Sequence, residues 1–434
     1  MFKYLLILFV LIGPKLFAQN SQKLSYTQAV EQTLQNNFDI RLAKNLADQS
    51  SIENNYGAAG FLPSLDIIAG ASNSSNNTRQ EFSSGLVVDK NAVASSSINA
   101  GAYLSWTIFD GMKMFATKER LSLLSQQGEL SFKIEIENTL ENLTLMYYRV
   151  VMQEQLISGL RKAMELSELR ITIAQRKSQL GSGSDVEMLQ AKMDRNAQKS
   201  NLIAQQSNLK EYKNNLLMVM KAEQTLDFAV DTNFVFEEME SIESLKQKIE
   251  KSNATLNYLQ KNSLIVDQLK REIQAQNLPR IGLSSSYVFG KNQNAAGFAL
   301  LNQNLGYNFG VNLNWNIFNG FTEKNKLKVV SLQKQSASLQ IEQTKNSLFT
   351  ASTSAYLQWL GNKEIMELEE ENGKLAAQSL RINAERLKLG LGNYLEIKES
   401  ESSYEAALTR LVNARYNLKA AETTLKKLSG GLVK

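Results

Sequence analysis

A short motif occurs twice in this chain, as Trp106-Thr-Ile-Phe-Asp-Gly111 and as Trp315-Asn-Ile-Phe-Asn-Gly320. Each copy closes a run in which apolar residues alternate with small or polar ones, and each opens a long proline-free stretch with helical periodicity. Both therefore mark a strand running into a very long helix. The copies lie 209 residues apart, and the same offset aligns Gly181-Ser-Gly183 with Gly390-Leu-Gly392 at the far ends of those helices. Such self-similarity describes a duplicated layout with rods of equal length rather than a string of independent globular domains.

The first eighteen of the 434 residues read as a cleaved secretory signal. Lys3 gives the positive start, Tyr4 to Ile12 an apolar segment too short to span a bilayer, and Leu16-Phe-Ala18 a small-residue exit. Without Lys3 and Lys15 the formal charge falls from +5 to +3, which implies no strong attraction to nucleic acid or anionic lipid. Cysteine and histidine are both absent. That removes disulfides, thiolate chemistry, a cysteine-linked lipid anchor and the commonest transition-metal ligands. No later apolar run approaches the roughly twenty residues of a membrane helix. If this exported chain enters a membrane, it does so with strands.

Each repeat is expected to hold the same elements in the same order. In residues 19–230 these are a helix from Ser25 to Tyr56 with an apolar stripe through Ala29, Leu34, Leu42 and Leu46, a β-hairpin over 64–109, a long helix over 112–180 and a return helix over 185–228. In residues 231–434 a polar link near Asp231 to Glu240 precedes a helix over 242–276, a hairpin over 280–318, a long helix over 321–389 and a return helix over 393–429. Pro63 and Pro279 stand where helix gives way to strand, as suits a residue that cannot continue a helix. The Ser- and Asn-rich segment from Ser72 to Ser97 reads as a solvated loop, and Gly290 to Gly306 as its counterpart.

Two periodicities then fix faces. Tyr307, Phe309, Val311, Leu313, Trp315 and Ile317 alternate with Asn308, Gly310, Asn312, Asn314 and Asn316, one face for hydrocarbon and one for water. In the rods, Leu140, Leu143, Tyr147, Val150, Ile157 and Met164 keep coiled-coil spacing, as do Leu368, Leu375, Ile382 and Leu389. At about 1.5 Å per residue each rod is on the order of 100 Å long. The expected fold class is mixed α+β: long antiparallel α-helical coiled-coil rods with strands for a transmembrane β-barrel. Four strands per chain cannot close a barrel, since the smallest have about eight. An open edge in lipid leaves backbone groups unpaired at several kcal/mol each. Closure must come from several chains, a dimer supplying eight strands and a trimer twelve.

The duplicated Trp-x-Ile-Phe-Asp/Asn-Gly motif and the tip motif Gly181-x-x-Ser-x-Val-Glu-Met-Leu-x-Ala191 with its copy at Gly390 resemble those of the TolC-like outer-membrane efflux protein family, over about Ser25 to Leu428. The family pattern prefers Asp where this chain has Glu187 and Glu396. The resemblance implies a homotrimer, a twelve-stranded barrel in the outer membrane and a helical tunnel through the periplasm. It also implies a passive exit duct for an efflux or type I secretion system, served by a periplasmic adaptor (membrane fusion) protein and an inner-membrane pump of RND or ABC type. Outer-membrane lipid is then a partner, and nucleic acid is not.

No phosphate-cradling loop and no histidine base is present, and the carboxylates scatter over helix faces, so no enzyme, cofactor or bound metal is expected. The rival reading is a periplasmic coiled-coil structural or adaptor protein without a pore, which fractionation without detergent would release. Trp106 and Trp315 fit either an aromatic belt at the membrane surface or a plug at the barrel–tunnel junction. By resemblance, the adaptor docks at Gly181, Ser182, Gly183, Ser184, Gly390, Leu391, Gly392 and Asn393. By resemblance too, Glu396 and Glu399, with Glu187 and Gln190 of the first copy, form a periplasmic gate. Asn393-x-x-Glu396 and Ser184-x-x-Glu187 equally resemble capping boxes.

Overall fold

A computed structural model describes residues 23–180, 184–222, 228–296 and 299–433. The elements run β1 (Lys23–Leu24), α1 (Tyr26–Asn36), α2 (Phe38–Glu53), β2 (Ser64–Glu81), β3 (Val87–Phe109), α3 (Lys113–Gln179) and α4 (Asp185–Met220). The second repeat supplies β4 (Ala229–Val230), α5 (Ile242–Ser252), α6 (Ala254–Ala275), β5 (Arg280–Asn294), β6 (Leu301–Asn314), α7 (Thr322–Lys388) and α8 (Tyr394–Leu428). The 209-residue offset relates α3 to α7 and the start of α4 to that of α8. Before the hairpins the offset is 216, relating α1 to α5 and α2 to α6. The first hairpin carries the extra seven residues.

Two compact units cut across the repeats. Among the described residues, one comprises those within 23–41, 136–244 and 352–433, and the other those within 42–135 and 245–351. In the first unit, β1 pairs in parallel with β4, and the fully buried Tyr147 ties the two together. Its hydroxyl donates to Leu24 O at 3.0 Å and accepts from Asp231 N at 3.3 Å. Leu143, Val150, Val151, Leu216 and Met220 pack around it as the core. Burial pushes the Tyr147 phenol up to about 12, so it stays a neutral donor. The second unit holds an antiparallel sheet of order β2-β3-β5-β6.

Several sequence expectations change. The helix from Ser25 to Tyr56 breaks at Asn37, and the helix over 242–276 breaks at Asn253. Both asparagines sit in extended backbone and cap the following helix: Asn37 Oδ1 accepts from Asp39 N and Ile40 N, and Asn253 Oδ1 from Leu256 N. Of the stripe Ala29, Leu34, Leu42 and Leu46, only Ala29 is buried, and the Leu368, Leu375, Ile382 and Leu389 ladder is likewise exposed. The return helix over 185–228 stops at Met220, where Lys221 takes a left-handed conformation. The segment from Ser72 to Ser97 is mostly sheet, because its Ser and Asn side chains bond across strands, as in Ser74–Ser95 at 2.8 Å. Only a tight turn at Phe82–Leu86 separates β2 from β3. The link near Asp231 to Glu240 lacks regular structure yet is pinned. Phe234 stacks on Tyr148 at 5.2 Å, Lys419 Nζ donates to Val235 O, and Glu237 N donates to the buried Glu422 carboxylate.

Candidate functional site

Strand register builds a wall with two unlike faces. One row across all four strands is Ile67, Ala102, Tyr287 and Tyr307; the adjacent row is Asp66, Tyr103, Ser286 and Asn308. Leu65 opposite Leu104, Leu283 opposite Val311 and Ile281 opposite Leu313 extend the apolar face. Leu65, Ile67, Tyr307, Phe309, Val311 and Leu313 are all exposed, an apolar patch that would be a liability in water. Among the described residues the outer edges of β2 and β6 have no strand partner. Among the described residues no helix is long and apolar enough to cross a membrane.

At the base of the wall the duplicated tryptophans make duplicated contacts. Trp106 Nε1 donates to Phe61 O at 2.8 Å and Trp315 Nε1 to Asn277 O at 3.0 Å. Each acceptor lies two residues before a proline, so each indole ties the end of a hairpin to the chain entering it. Both side chains remain partly exposed. The chain then turns sharply, with positive φ at Gly111 and Met112 and again at Gly320 and Phe321.

Gly181, Ser182 and Gly183 lie outside the described residues. Gly390 ends α7 in a Schellman arrangement: its φ is +76°, Leu391 N donates to Arg386 O at 2.9 Å and Gly390 N to Leu387 O at 3.1 Å. Ser184 caps α4 through Val186 N, and Asn393 caps α8 through Glu396 N at 2.9 Å. The Glu396 carboxylate accepts from Asn393 Nδ2 at 3.0 Å and faces Arg386 at 3.4 Å, so it is held within its own turn. Glu187 and Glu399 are exposed, and Gln190 donates to Asp194. The four expected gate residues do not meet one another within one chain.

Asp194 is instead the meeting point. It accepts from Tyr394 Oη, Gln190 Nε2 and Lys398 Nζ, and pairs with Arg170 at 3.2 Å. Arg170, only 2% exposed at its side chain, reaches Glu401 at 2.8 Å and lies over the Tyr394 ring. Together these groups bridge α3, α4 and α8. Burial would raise the Asp194 pKa, but the donors from Tyr394, Gln190 and Lys398 hold it below the usual carboxylate value. For Glu401 burial wins over Arg170, and with Glu405 and Asp194 nearby its carboxyl is pushed up to about 7. Sequence reasoning missed this cluster. The available signal was charge at seam positions, Arg170 between Leu166 and Ile173, and Glu401 between Ile397 and Tyr404.

Residues 268–431 match the outer membrane efflux protein family. The outer membrane efflux protein BepC of Brucella suis biovar 1 (strain 1330) is 25% identical over 123 residues, which is 28% of this chain and 27% of BepC. The chain thus aligns with about a quarter of the length of that relative. In fold, the chain is similar to CusC, with TM-score 0.77 and 16% identity over 94% of this chain and 92% of CusC. The Campylobacter jejuni outer membrane channel CmeC gives TM-score 0.77 and 17% identity over 94% and 85%. The open Neisseria gonorrhoeae MtrE outer membrane channel gives 0.72 and 16% over 94% and 89%. The sequence match in the second repeat and the shared fold agree with the resemblance that the duplicated motifs bear to the TolC-like outer-membrane efflux proteins.

Proposed function

We propose that this chain is one protomer of a trimeric outer-membrane exit duct that extends into the periplasm and conducts cargo passively from an inner-membrane pump and its adaptor. The observation that carries this reading is the four-stranded sheet with one apolar face, one polar face and two edges that no strand pairs among the described residues. Lipid suits the first face, a water-filled bore the second, and neighbouring chains the edges. The exposed Leu368, Leu375, Ile382 and Leu389 ladder fits the same assembly, because a heptad stripe left uncovered within one chain suits a neighbouring helix. Mass measurement of the detergent-extracted protein is expected to give a trimer. A stable monomer would overturn the duct, and release of the protein without detergent would favour the poreless coiled-coil alternative.

The α3–α4 and α7–α8 turns are the proposed adaptor contacts, supported by exposed apolar side chains at Val186, Leu189, Leu389, Leu391 and Leu395. A crosslinker at Leu391 is expected to capture a periplasmic partner; capture only from the sheet would reject this. Glu399 is the better gate candidate because Glu396 already serves its cap and Arg386. If both line a wet throat, Glu396→Ala with Glu399→Ala should weaken cation selectivity in planar-bilayer recordings. Unchanged selectivity would leave them as helix-end residues. Trp106 and Trp315 are proposed to brace the junction, with any belt role secondary.

A further inference from the structure

At the base of the polar sheet face lies a cleft of about 400 Å³ lined by Thr107, Asp110, Lys113, Arg280, Asn314 and Asn316, among others. Register puts Arg280 on the polar face: it pairs with Asn314, while the next residue, Ile281, joins Leu313 on the apolar one. Arg280 spends one Nη2 hydrogen on Thr107 Oγ1 at 2.7 Å. Its remaining donors and the exposed Lys113 ammonium face solvent, and among the described residues neither forms an ion pair. Asp110, the one acid of the cleft, is turned to the start of α3, where Oδ1 accepts from Met114 N at 3.1 Å. Two cations and several neutral polar groups therefore line one cleft, whose carboxylate spends one of its oxygens on the start of α3.

The bland alternative is that these charges merely solvate a junction the fold requires. The duplication argues against it. The second junction has the same backbone, with positive φ at Gly320 and Phe321 as at Gly111 and Met112. Yet Asp110 and Lys113 correspond there to Asn319 and Thr322, and Arg280, which follows Pro279, corresponds to Ser64 after Pro63. The turn thus forms without any of the three charges. Only one of the two junctions combines an arginine and a lysine at these positions.

We propose that this cleft is a binding subsite for a small oxyanion, a phosphate or carboxylate group on a solute passing the polar sheet face, with Arg280 and Lys113 as its cationic contacts. The placement in a bore rests on the duct reading. A guanidinium supplies paired, planar donors and an ammonium a compact charge, the combination suited to tetrahedral or planar oxyanions. In three chains the subsite would occur three times around the bore.

Inorganic phosphate titrated into the full chain purified in detergent, followed by ³¹P line broadening, tests this without needing an open tip. The wild type is expected to show saturable broadening that citrate competes away. Arg280→Gln and Lys113→Gln should each weaken it at least fivefold, whereas Lys291→Gln, which removes a cation on the opposite face of the same strand, should not. Arg280→Lys should retain most of the binding, and with Lys113→Gln it carries the comparison if Arg280→Gln fails to assemble. Absence of broadening in the wild type, no change in the cleft variants, or equal loss in Lys291→Gln would overturn the proposal. A monomer that binds phosphate would refute the duct alone, and a trimer indifferent to phosphate would refute the subsite alone.

Discussion

At the residue scale the duplication provides its own control. Gly111 and Gly320 share a motif position and a left-handed backbone, with φ of +73° and +67°. Their surroundings differ. A Cβ on Gly111 would lie 2.4 Å from Ala275 O and 2.7 Å from Leu278 Cβ, whereas one on Gly320 would meet nothing within 4 Å. Gly320→Ala is therefore expected to cost only the conformational penalty, roughly 1–2 kcal/mol. Gly111→Ala must also displace backbone, so it should cost clearly more and lower the yield of folded protein. Thermal unfolding of the two variants side by side checks this, and equal losses would show that local conformation alone sets the requirement. The glycines were legible in the sequence as turn residues. Which of them is sterically locked was not, because that depends on Ala275, 164 residues away along the chain.

At the element scale, offsets and periodicity carried most of the layout, and side-chain competition decided the rest. Both long helices begin and end within one residue of their expected limits, because proline-free heptads leave little choice between Gly111 and the tip. The breaks at Asn37 and Asn253 were hidden by periodicity that continues through them. The two asparagines stand 216 residues apart, as Pro63 and Pro279 do, so a search for that second offset would have exposed them. The buried Arg170, Asp194 and Glu401 cluster was invisible for a different reason, since three helices must come together before the charges meet. It also has a pH signature. The Glu401 carboxyl is held at about 7 in the fold against an ordinary 4.5, and its Oε1 is buried without a hydrogen-bond partner. A raised acid pKa means that the folded chain binds the proton more tightly than the unfolded one. The resulting stability is fully present below about pH 4.5 and is lost as pH rises through about 7. Each tenfold gain in proton affinity corresponds to about 1.4 kcal/mol, so the effect is on the order of a few kcal/mol per chain at most. The melting temperature of the wild type should fall between pH 5 and pH 8 by more than that of Glu401→Gln, a comparison in which the rest of the protein cancels. Parallel pH profiles would show that Glu401 titrates normally.

At the scale of the whole molecule, the apolar sheet face and the bare edges are two forms of one incompleteness, and each requires a different partner. Lipid can cover side chains such as Tyr307, Phe309 and Val311, but it cannot supply hydrogen bonds to the outer edges of β2 and β6. Only another strand can, and a closed ring of identical chains supplies one to every edge alike. The alternation along β6 was legible from Tyr307 to Asn314, because on the proposed duct reading a strand between two solvents must write both into its sequence. The number of chains in the proposed ring was not legible from strand count alone, which allowed a dimer or a trimer. Neighbouring positions on this edge strand separate the two requirements. Val311 opposes Leu283 on the apolar face, and Asn312 opposes Gly282 on the polar one. An arginine facing hydrocarbon near mid-bilayer costs about 2 to 4 kcal/mol, so Val311→Arg should reduce the trimer recovered from outer membranes. Asn312→Arg turns the same charge toward water and leaves the backbone ladder unchanged, so its trimer yield should match the wild type. If both substitutions depress assembly equally, β6 is buried against protein on both faces and the sheet is not a bilayer wall.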